Sequence, residues 1–294
     1  TFLLPFSIAL SELKITRHHY MKILFIVILI ALIAIYFTTS IRKNLKTEMN
    51  SVQIDYKDSD VSSLSIKVAV IGDIHLGEGK DITKFLKLLD EVKSNNPDLV
   101  LLVGDYITDL RKIKDVDSHR RNIIKTFKSL DPIPRAIVLG NHDNYTDRKK
   151  WFAEFKDLEV DLLENESRIM NVAGAVICVR GLGDYYSHRY KFVDYPEECK
   201  NLPKLTITHD PQGAFEPGVE GLVFAGHTHC GQVSFPVIGP IKFPSKAPRD
   251  ATCGLYKDSK RTLFVTSGVG TSIVPIRYGA QSNWDLIDLS FGDI

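Results

Sequence analysis

The chain has 294 residues, 44% of them hydrophobic and 25% charged, with a formal net charge of +1. These values describe a globular chain, long enough for one large domain or two small ones. A near-neutral balance gives no electrostatic reason to expect nucleic acid as a partner, and none is expected. The short basic runs Arg42-Lys43 and Arg148-Lys149-Lys150 read as solvated faces.

Residues 23–37, ILFIVILIALIAIYF, contain no polar or charged group other than the Tyr36 hydroxyl. With Thr38 and Thr39 the run approaches the roughly 20 residues that cross a bilayer, and a helix apolar all round offers no face to water. The expectation is one membrane anchor or signal-anchor over 21–40, with membrane association through residues 23–39. Residues 1–20 precede Met21-Lys22, which looks like a natural start, and are set aside as a candidate untranslated leader. Basic residues tie across the run, with Lys14, Arg17 and Lys22 before it and Arg42, Lys43 and Lys46 after it, so the charge rule leaves the orientation open. Residues 41–62 are polar and read as a linker, and 63–294 as the soluble domain.

Within that domain strand and helix patterns alternate. LSIKVAVIGD (64–73) predicts a strand. DITKFLKLLDEVKSN (81–95) predicts a helix capped by Asp81, with Ile82, Phe85, Leu86, Leu89 and Val92 on one face. DLVLLVGD (98–105) is a second strand, a charged helix follows around 116–130, and PRAIVLGNHD (134–143) is a third strand. This order belongs to a parallel sheet in an α/β domain. The second half predicts a hairpin over 166–184 turning at Ala173-Gly174, then strands over 205–210 and 221–227, a hairpin over 254–268 turning at Asp258-Ser259, and a last strand over 283–291. The expected result is two sheets packed face to face with helices outside. Four cysteines (178, 199, 230 and 253) show no C-x-x-C spacing, and Cys178 lies in the apolar run AVICV. Free thiols are expected, and with them a reducing compartment and the cytoplasmic face.

Polar residues gather where strand patterns end: Asp73-x-His75, Gly104-Asp105, Gly140-Asn141-His142-Asp143, His209, and His227-x-His229. Carboxyl ends of strands in α/β sheets are where ligands collect. In an extended backbone residues i and i+2 point the same way, so each two-apart pair can converge on one point. Neutral imidazoles with carboxylates suit divalent ions such as Mn, Fe or Zn. Each motif alone is short enough to arise by chance. Their joint occurrence in order, holding five of the nine histidines, is not readily explained that way.

The ordered set GDIHLG, GDYITD, GNHD, ITHD and GHTH resembles the calcineurin-like metallophosphoesterases over most of residues 68 to 229. The resemblance implies a four-layer α/β/β/α sandwich and two divalent metal ions, Mn first, with Fe or Zn as alternatives. It implies that Asp73, His75 and His229 bind one ion, that Asn141, His209 and His227 bind the other, and that Asp105 bridges both. His142 becomes the catalytic histidine beside the scissile phosphate, with Asp143 orienting it. Cys230 stands where that family usually has glycine and is not among its ligands; a positive φ there would strain a cysteine. A non-catalytic scaffold of this fold would lack ligands or the catalytic histidine, and this chain lacks none.

The stretches Gly226–Pro240, Ser267–Ser272 and Pro275–Ala280, behind an N-terminal hydrophobic segment, resemble a membrane-associated bacterial subgroup that includes UDP-2,3-diacylglucosamine diphosphatases. That implies hydrolysis of the diphosphate of a lipid-linked nucleotide sugar of the lipid A pathway. The alternative is a broad phosphodiesterase or phosphatase with another substrate. The apolar loop FPVIGPIKFP (235–244) is either an acyl-chain or membrane contact or a turn packed on its own domain. Arg277 and Lys242 are candidate phosphate or uridine contacts, with plain surface charge as the competing reading.

Overall fold

The structure, a computed structural model, describes residues 17–57, 63–77 and 80–292. The first sixteen residues of the candidate leader and the last five of the expected linker lie outside the described residues. Helix α1 (Arg17–Leu45) carries the apolar run, and its stretch Met21–Leu45 is long and apolar enough to cross a membrane. The large apolar side chains from Met21 to Tyr36 are exposed. Residues from Asn44 onward form a separate compact unit.

In that unit the chain runs through β1 (Glu48–Tyr56), β2 (Leu64–Ile71), α2 (Lys80–Ser94), β3 (Leu99–Leu102), α3 (Val116–Phe127), β4 (Arg135–Ile137), α4 (Asn141–Tyr145) and α5 (Arg148–Asp157). It continues through β5 (Glu166–Val172), β6 (Ala175–Gly181), β7 (Lys204–Ile207), β8 (Gly221–Ala225), β9 (Ser234–Phe235), β10 (Gly239–Pro240), β11 (Gly254–Lys257), β12 (Arg261–Val265) and β13 (Asn283–Phe291). One sheet has the order β1-β13-β2-β3-β4 and the other β11-β12-β8-β7-β6-β5, with β9 and β10 as a separate small hairpin. Strands β2, β3 and β4 are mutually parallel, as are β6, β7, β8 and β12.

Strands apolar on both faces dictate layers on both faces. Val68, Val70 and Leu101 of the first sheet meet Ile207, Leu222 and Phe224 of the second in one core. Ala69, Ile71 and Leu102 face the other way, onto Phe85 and Leu89 of α2, Phe127 of α3 and Trp151 of α5. The expected sandwich is present. Its fourth layer, against Val223, Ala225, Leu263 and Val265, consists of the short 3₁₀ turns at Pro211–Phe215 and Arg249–Ala251 and neighbouring loops, in place of long helices.

Three local expectations change. Residues 48–56, inside the expected linker, form edge strand β1, paired parallel to β13. Val52, Ile54 and Tyr56 alternate toward the core, a period-two signal diluted by the polar residues between them. On α2 the buried stripe is Phe85, Leu88, Leu89 and Val92, while Leu86 is exposed, being a full 100° turn away from Phe85. The third strand ends at Ile137, and Asn141 opens α4.

All four cysteines are paired, Cys178 with Cys199 and Cys230 with Cys253, which overturns the expectation of free thiols. Partners 21 and 23 residues apart leave no local spacing to read; the fold brings them together, with Cα–Cα distances of 6.0 and 4.8 Å.

Asp285 ties β1 to the sheet beside it. Its carboxylate accepts hydrogen bonds from Asn50 Nδ2 (2.7 Å), Asn283 Nδ2 (2.7 Å) and Thr266 Oγ1 (2.5 Å). Burial nevertheless pushes its pKa up to about 6, with these donors opposing. The folded-state value lies above the unfolded one, so this contribution to stability is complete below about pH 4 and is lost as pH rises through about 6, roughly 3 kcal/mol in all. Asp285→Asn is expected to remove that loss. Thermal melts of both proteins from pH 4 to 7 should show their Tm difference changing across the window; parallel profiles would mean Asp285 does not titrate there.

Candidate metal centre

The carboxyl ends of both sheets meet at one edge, and each polar motif lies there: Asp73 and His75 after β2, Asp105 after β3, Asn141 at the start of α4, His209 after β7, and His227 and His229 after β8. The backbone does not aim them as an extended chain would. Asp73, His75, Asp105, His227 and His229 all have positive φ, between 50 and 70°. Left-handed backbone at so many non-glycine residues is strain collected at one place, as functional sites collect it. The turns split the pair after β8, so that His227 and His229 do not converge on one point. Close approach needs glycine: a Cβ on Gly140 would lie 2.2 Å from Asp105 Oδ1, and one on Gly268 (φ 77°) 2.5 Å from Asp73 Cβ.

Two buried clusters result. In one, His229 Nε2 lies 3.1 Å from His75 Nε2 and 3.4 Å from Asp73 Oδ1. In the other, His209 Nε2 lies 3.2 Å from His227 Nδ1, 3.3 Å from Asp105 Oδ2 and 3.3 Å from Asn141 Oδ1. Asp105 Oδ2 is also 3.6 Å from His75 Nε2, so this carboxylate stands between the clusters.

Tautomers decide what these atoms face. His209 Nδ1 is 2.7 Å from the Val103 carbonyl and His227 Nε2 is 3.0 Å from the Pro244 carbonyl, so each of those nitrogens carries the ring hydrogen. The opposite nitrogens, His209 Nε2 and His227 Nδ1, then point lone pairs at each other and at the oxygens of Asp105 and Asn141. With His209 neutral these are four acceptors without a hydrogen between them, an arrangement that fits a cation. The donor set, imidazole nitrogens with carboxylate and amide oxygens, suits a borderline divalent ion.

Burial and neighbouring charge displace these groups from their ordinary titration ranges. Burial pushes Asp73 up to about 7, with Asp105 adding to the effect, and pushes His75 down to about 3. Burial, His75 and Arg277 together hold His229 well below the usual histidine range, and His227 is also lowered, first by burial and then by His209. His209 goes the other way: burial opposes its charge, but Asp105 raises it well above the ordinary value. A proton on His209 thus does between these groups what a metal cation would do.

The remaining site candidates are placed as follows. His142 is half-buried, its ring edge-on to His75 with centroids 4.6 Å apart, and its backbone N–H donates to Asp105 Oδ1 (2.8 Å). Asp143 does not reach the His142 imidazole in the way expected. Its carboxylate accepts from the backbone N–H groups of Asp105, Tyr106, Ile107 and Gly140, and so clamps the β3 loop to the start of α4. Burial and then Asp105 push its pKa up to about 8.

Arg277 is fully buried, against the expectation of a phosphate contact. Its guanidinium donates to the carbonyls of Ser267, Gly268 and Gly270, and Nη2 lies 3.0 Å from His229 Nδ1. Lys242 is exposed and lines a cavity of about 450 Å³ whose floor includes Asp105, Asn141, His142 and His229. Cys230 does have positive φ (51°), and its sulfur is bonded to Cys253.

One residue escaped the sequence reading. Asp184, fully buried, follows β6 in the run Gly-Leu-Gly-Asp, the same strand-end pattern as Gly104-Asp105. It accepts from Ser187 N and Oγ, and Ser187 in turn accepts from Asn144 of α4.

Residues 66–231 match the family model described as calcineurin-like phosphoesterase. A zebrafish (Danio rerio) protein named as a transmembrane protein with metallophosphoesterase domain is 26% identical over 250 residues, 79% of this chain and 54% of its own length. An uncharacterised metallophosphoesterase of Campylobacter jejuni is 28% identical over 281 residues, covering 92% of this chain and 70% of that one. Another from Bacillus subtilis is 24% identical over 260 residues, 85% of this chain and 93% of that one. The chain spans about half the length of the vertebrate relatives.

Asp105→Ala is expected to abolish tight binding of both ions and His142→Ala to retain them, read by metal analysis of the purified proteins after Mn²⁺ loading. Two ions retained on Asp105→Ala would remove its bridging position.

Proposed function

The chain belongs to the calcineurin-like phosphoesterase family, and from that premise we propose that it is a phosphoester hydrolase working with two divalent metal ions, Mn²⁺ in the first instance. The observation carrying this reading is the pair of buried clusters, Asp73/His75/His229 and Asp105/His209/His227, each with its ligand atoms within 4.8 Å of one another. Asn141 joins the second through Oδ1. Two such ions supply a positive seat for phosphate oxygens and a water acidic enough to act as hydroxide near neutral pH.

The chain's own groups do the rest. Asp105 balances charge between the clusters, and Val103 and Pro244 fix two imidazoles through their carbonyls. His142 stands at the cavity floor, less buried than the ligands, where its ring can donate a proton to the departing oxygen. Its backbone is held by Asp105 and by the Asp143 clamp, so the ring is carried on a rigid loop.

For the substrate, we propose a phosphoester or diphosphate carried on a lipid, with UDP-2,3-diacylglucosamine as the first candidate from the sequence resemblance. Support comes from the cavity walls above the ligands, which include Val233, Ile241, Ile273 and Val274. Lys242 on the same wall supplies a cation for a second phosphate. A second reading, a phosphodiesterase acting outside the cytoplasm, is favoured by a different observation. Two disulfides in one domain suit an oxidising compartment and stand against the cytoplasmic face.

Supplied with Mn²⁺, the full chain is expected to hydrolyse UDP-diacylglucosamine or a generic diester faster than a generic monoester. His142→Ala should lower kcat by about 10²–10⁴-fold with metal content unchanged. Mn²⁺-loaded protein that hydrolyses none of the three would overturn the reading.

A further inference from the structure

Two loops form the apolar rim of the cavity, the β9–β10 hairpin and its continuation to Ile241, and residues 271–276. They are adjacent: Val233 bridges to Tyr278, and Gln232 Nε2 donates to the carbonyls of Ser272 and Val274 (both 3.0 Å). Six large aliphatic side chains stand in water here, namely Val237, Ile238, Ile241, Ile273, Val274 and Ile276. Clustered exposed apolar side chains of this kind mark a surface that meets something else.

The backbone adds an independent observation. Val237, fully exposed, has φ 72°, and Ile273, 83% exposed, has φ 59°. A β-branched residue in the left-handed region is a steric outlier, and Gly or Asn would relieve it at no cost in contacts. Each loop tip therefore keeps an unfavourable backbone in order to present an aliphatic side chain to solvent. Strain of this kind points to function.

What covers the rim follows from where the rest of the chain goes. The domain is entered at Asn44–Thr47, with Lys46 and Thr47 alone between α1 and β1. That entry point is held by the segment leading from the rim: Ser282 N donates to the Asn44 carbonyl (2.8 Å), Thr47 Oγ1 lies 2.9 Å from Ser282 Oγ, and Leu45 and Thr47 share a cleft with Thr271. A helix of membrane-spanning length is thus joined to the domain beside the rim loop. Lys242, Lys246 and Arg249 are exposed next to the apolar side chains, with Asp250 as the neighbouring counter-charge. Aliphatic tips flanked by cations match the acyl and headgroup layers of an anionic bilayer.

We propose that the tips at Val237 and Ile273 insert into the bilayer, so that the cavity opens at the headgroup layer and takes a phosphoester that never leaves the membrane. The substrate class is an amphiphile with acyl chains in the bilayer and its phosphate level with His142. This rests on the hydrolase reading for the chemistry, but not for the insertion.

The test uses the full chain reconstituted into vesicles of phosphatidylcholine and phosphatidylglycerol brominated in their acyl chains. The native tryptophans, Trp151 and Trp284, are fully buried, so Val237→Trp and Ile273→Trp each report their own position. Both added tryptophans are expected to be quenched relative to plain lipid. Emission equal in the two lipids would overturn the proposal. Val237→Asn, which suits the left-handed backbone, should hold or raise Tm and leave turnover of a soluble diester unchanged. It should lower turnover of a vesicle-embedded phosphodiester about tenfold, the effect of one lost aliphatic burial. Turnover of the vesicle-embedded substrate unchanged by Val237→Asn would count against insertion, as would a detergent-solubilised dimer that Val237→Asn separates, which would give the rim to a second copy. The quenching arm requires no catalysis, so inactive parent protein would refute the hydrolase reading and leave the insertion result standing.

Discussion

A carboxylate leaves water only if hydrogen-bond donors or positive charge take water's place. Three carboxylates under the two sheets meet this condition in different ways, and the site depends on the difference. Asp143 is satisfied by four backbone N–H groups, which makes it a structural clamp with nothing left to offer a substrate. Asp73 receives the His227 N–H on both oxygens, and Asp105 the His142 N–H on Oδ1. Each of these two still directs an oxygen at imidazole nitrogens, His229 beside Asp73, and His75 and His209 beside Asp105, where a proton or a metal cation would complete the contact. The polypeptide leaves positive charge wanting at each place, which a divalent ion would supply.

The strain follows from the same constraint. To bring seven candidate ligand side chains from several strand ends within a few ångströms, the chain must turn sharply as each strand ends. It does so in left-handed backbone at Asp73, His75, Asp105, His227 and His229, with glycines where a carboxylate or its Cβ presses against the neighbouring loop. The buried strands on either side, Val68 to Ile71 and Leu222 to Ala225, hold those turns in place.

Much of this was legible in the sequence because the signals were local. Apolar runs ending in Gly-Asp, Asn-His-Asp or His-x-His announce strand ends with candidate ligands, whatever the loop geometry. What escaped was set by distant partners. Strand β1 is specified by Val52, Ile54 and Tyr56 only once β13, more than two hundred residues away, is beside it. The cysteine pairs and the burial of Arg277 under Ser267, Gly268 and Gly270 are properties of loops meeting in space. Asp143 was found, but not its contacts with the backbone, since a carboxylate beside a histidine reads the same whether it faces the ring or the backbone.

The bond between Cys230 and Cys253 closes a ring out of everything from the end of the metal loop to the start of β11. Thr228 Oγ1 reaches the Thr252 carbonyl across the same neck (2.6 Å), so both ends of the ring are fixed where they join the ligand loop. The β9–β10 hairpin lies inside that ring, while Asp73, His75, Asp105, Asn141, His209, His227 and His229 all lie outside it. The ring touches the candidate ligand loops through the Pro244 carbonyl, which faces His227 Nε2, and through Ser245 Oγ, which donates to Asp210 beside His209. The ring is in effect a cassette: a surface carried on its own closed loop, anchored at one neck beside the candidate metal centre.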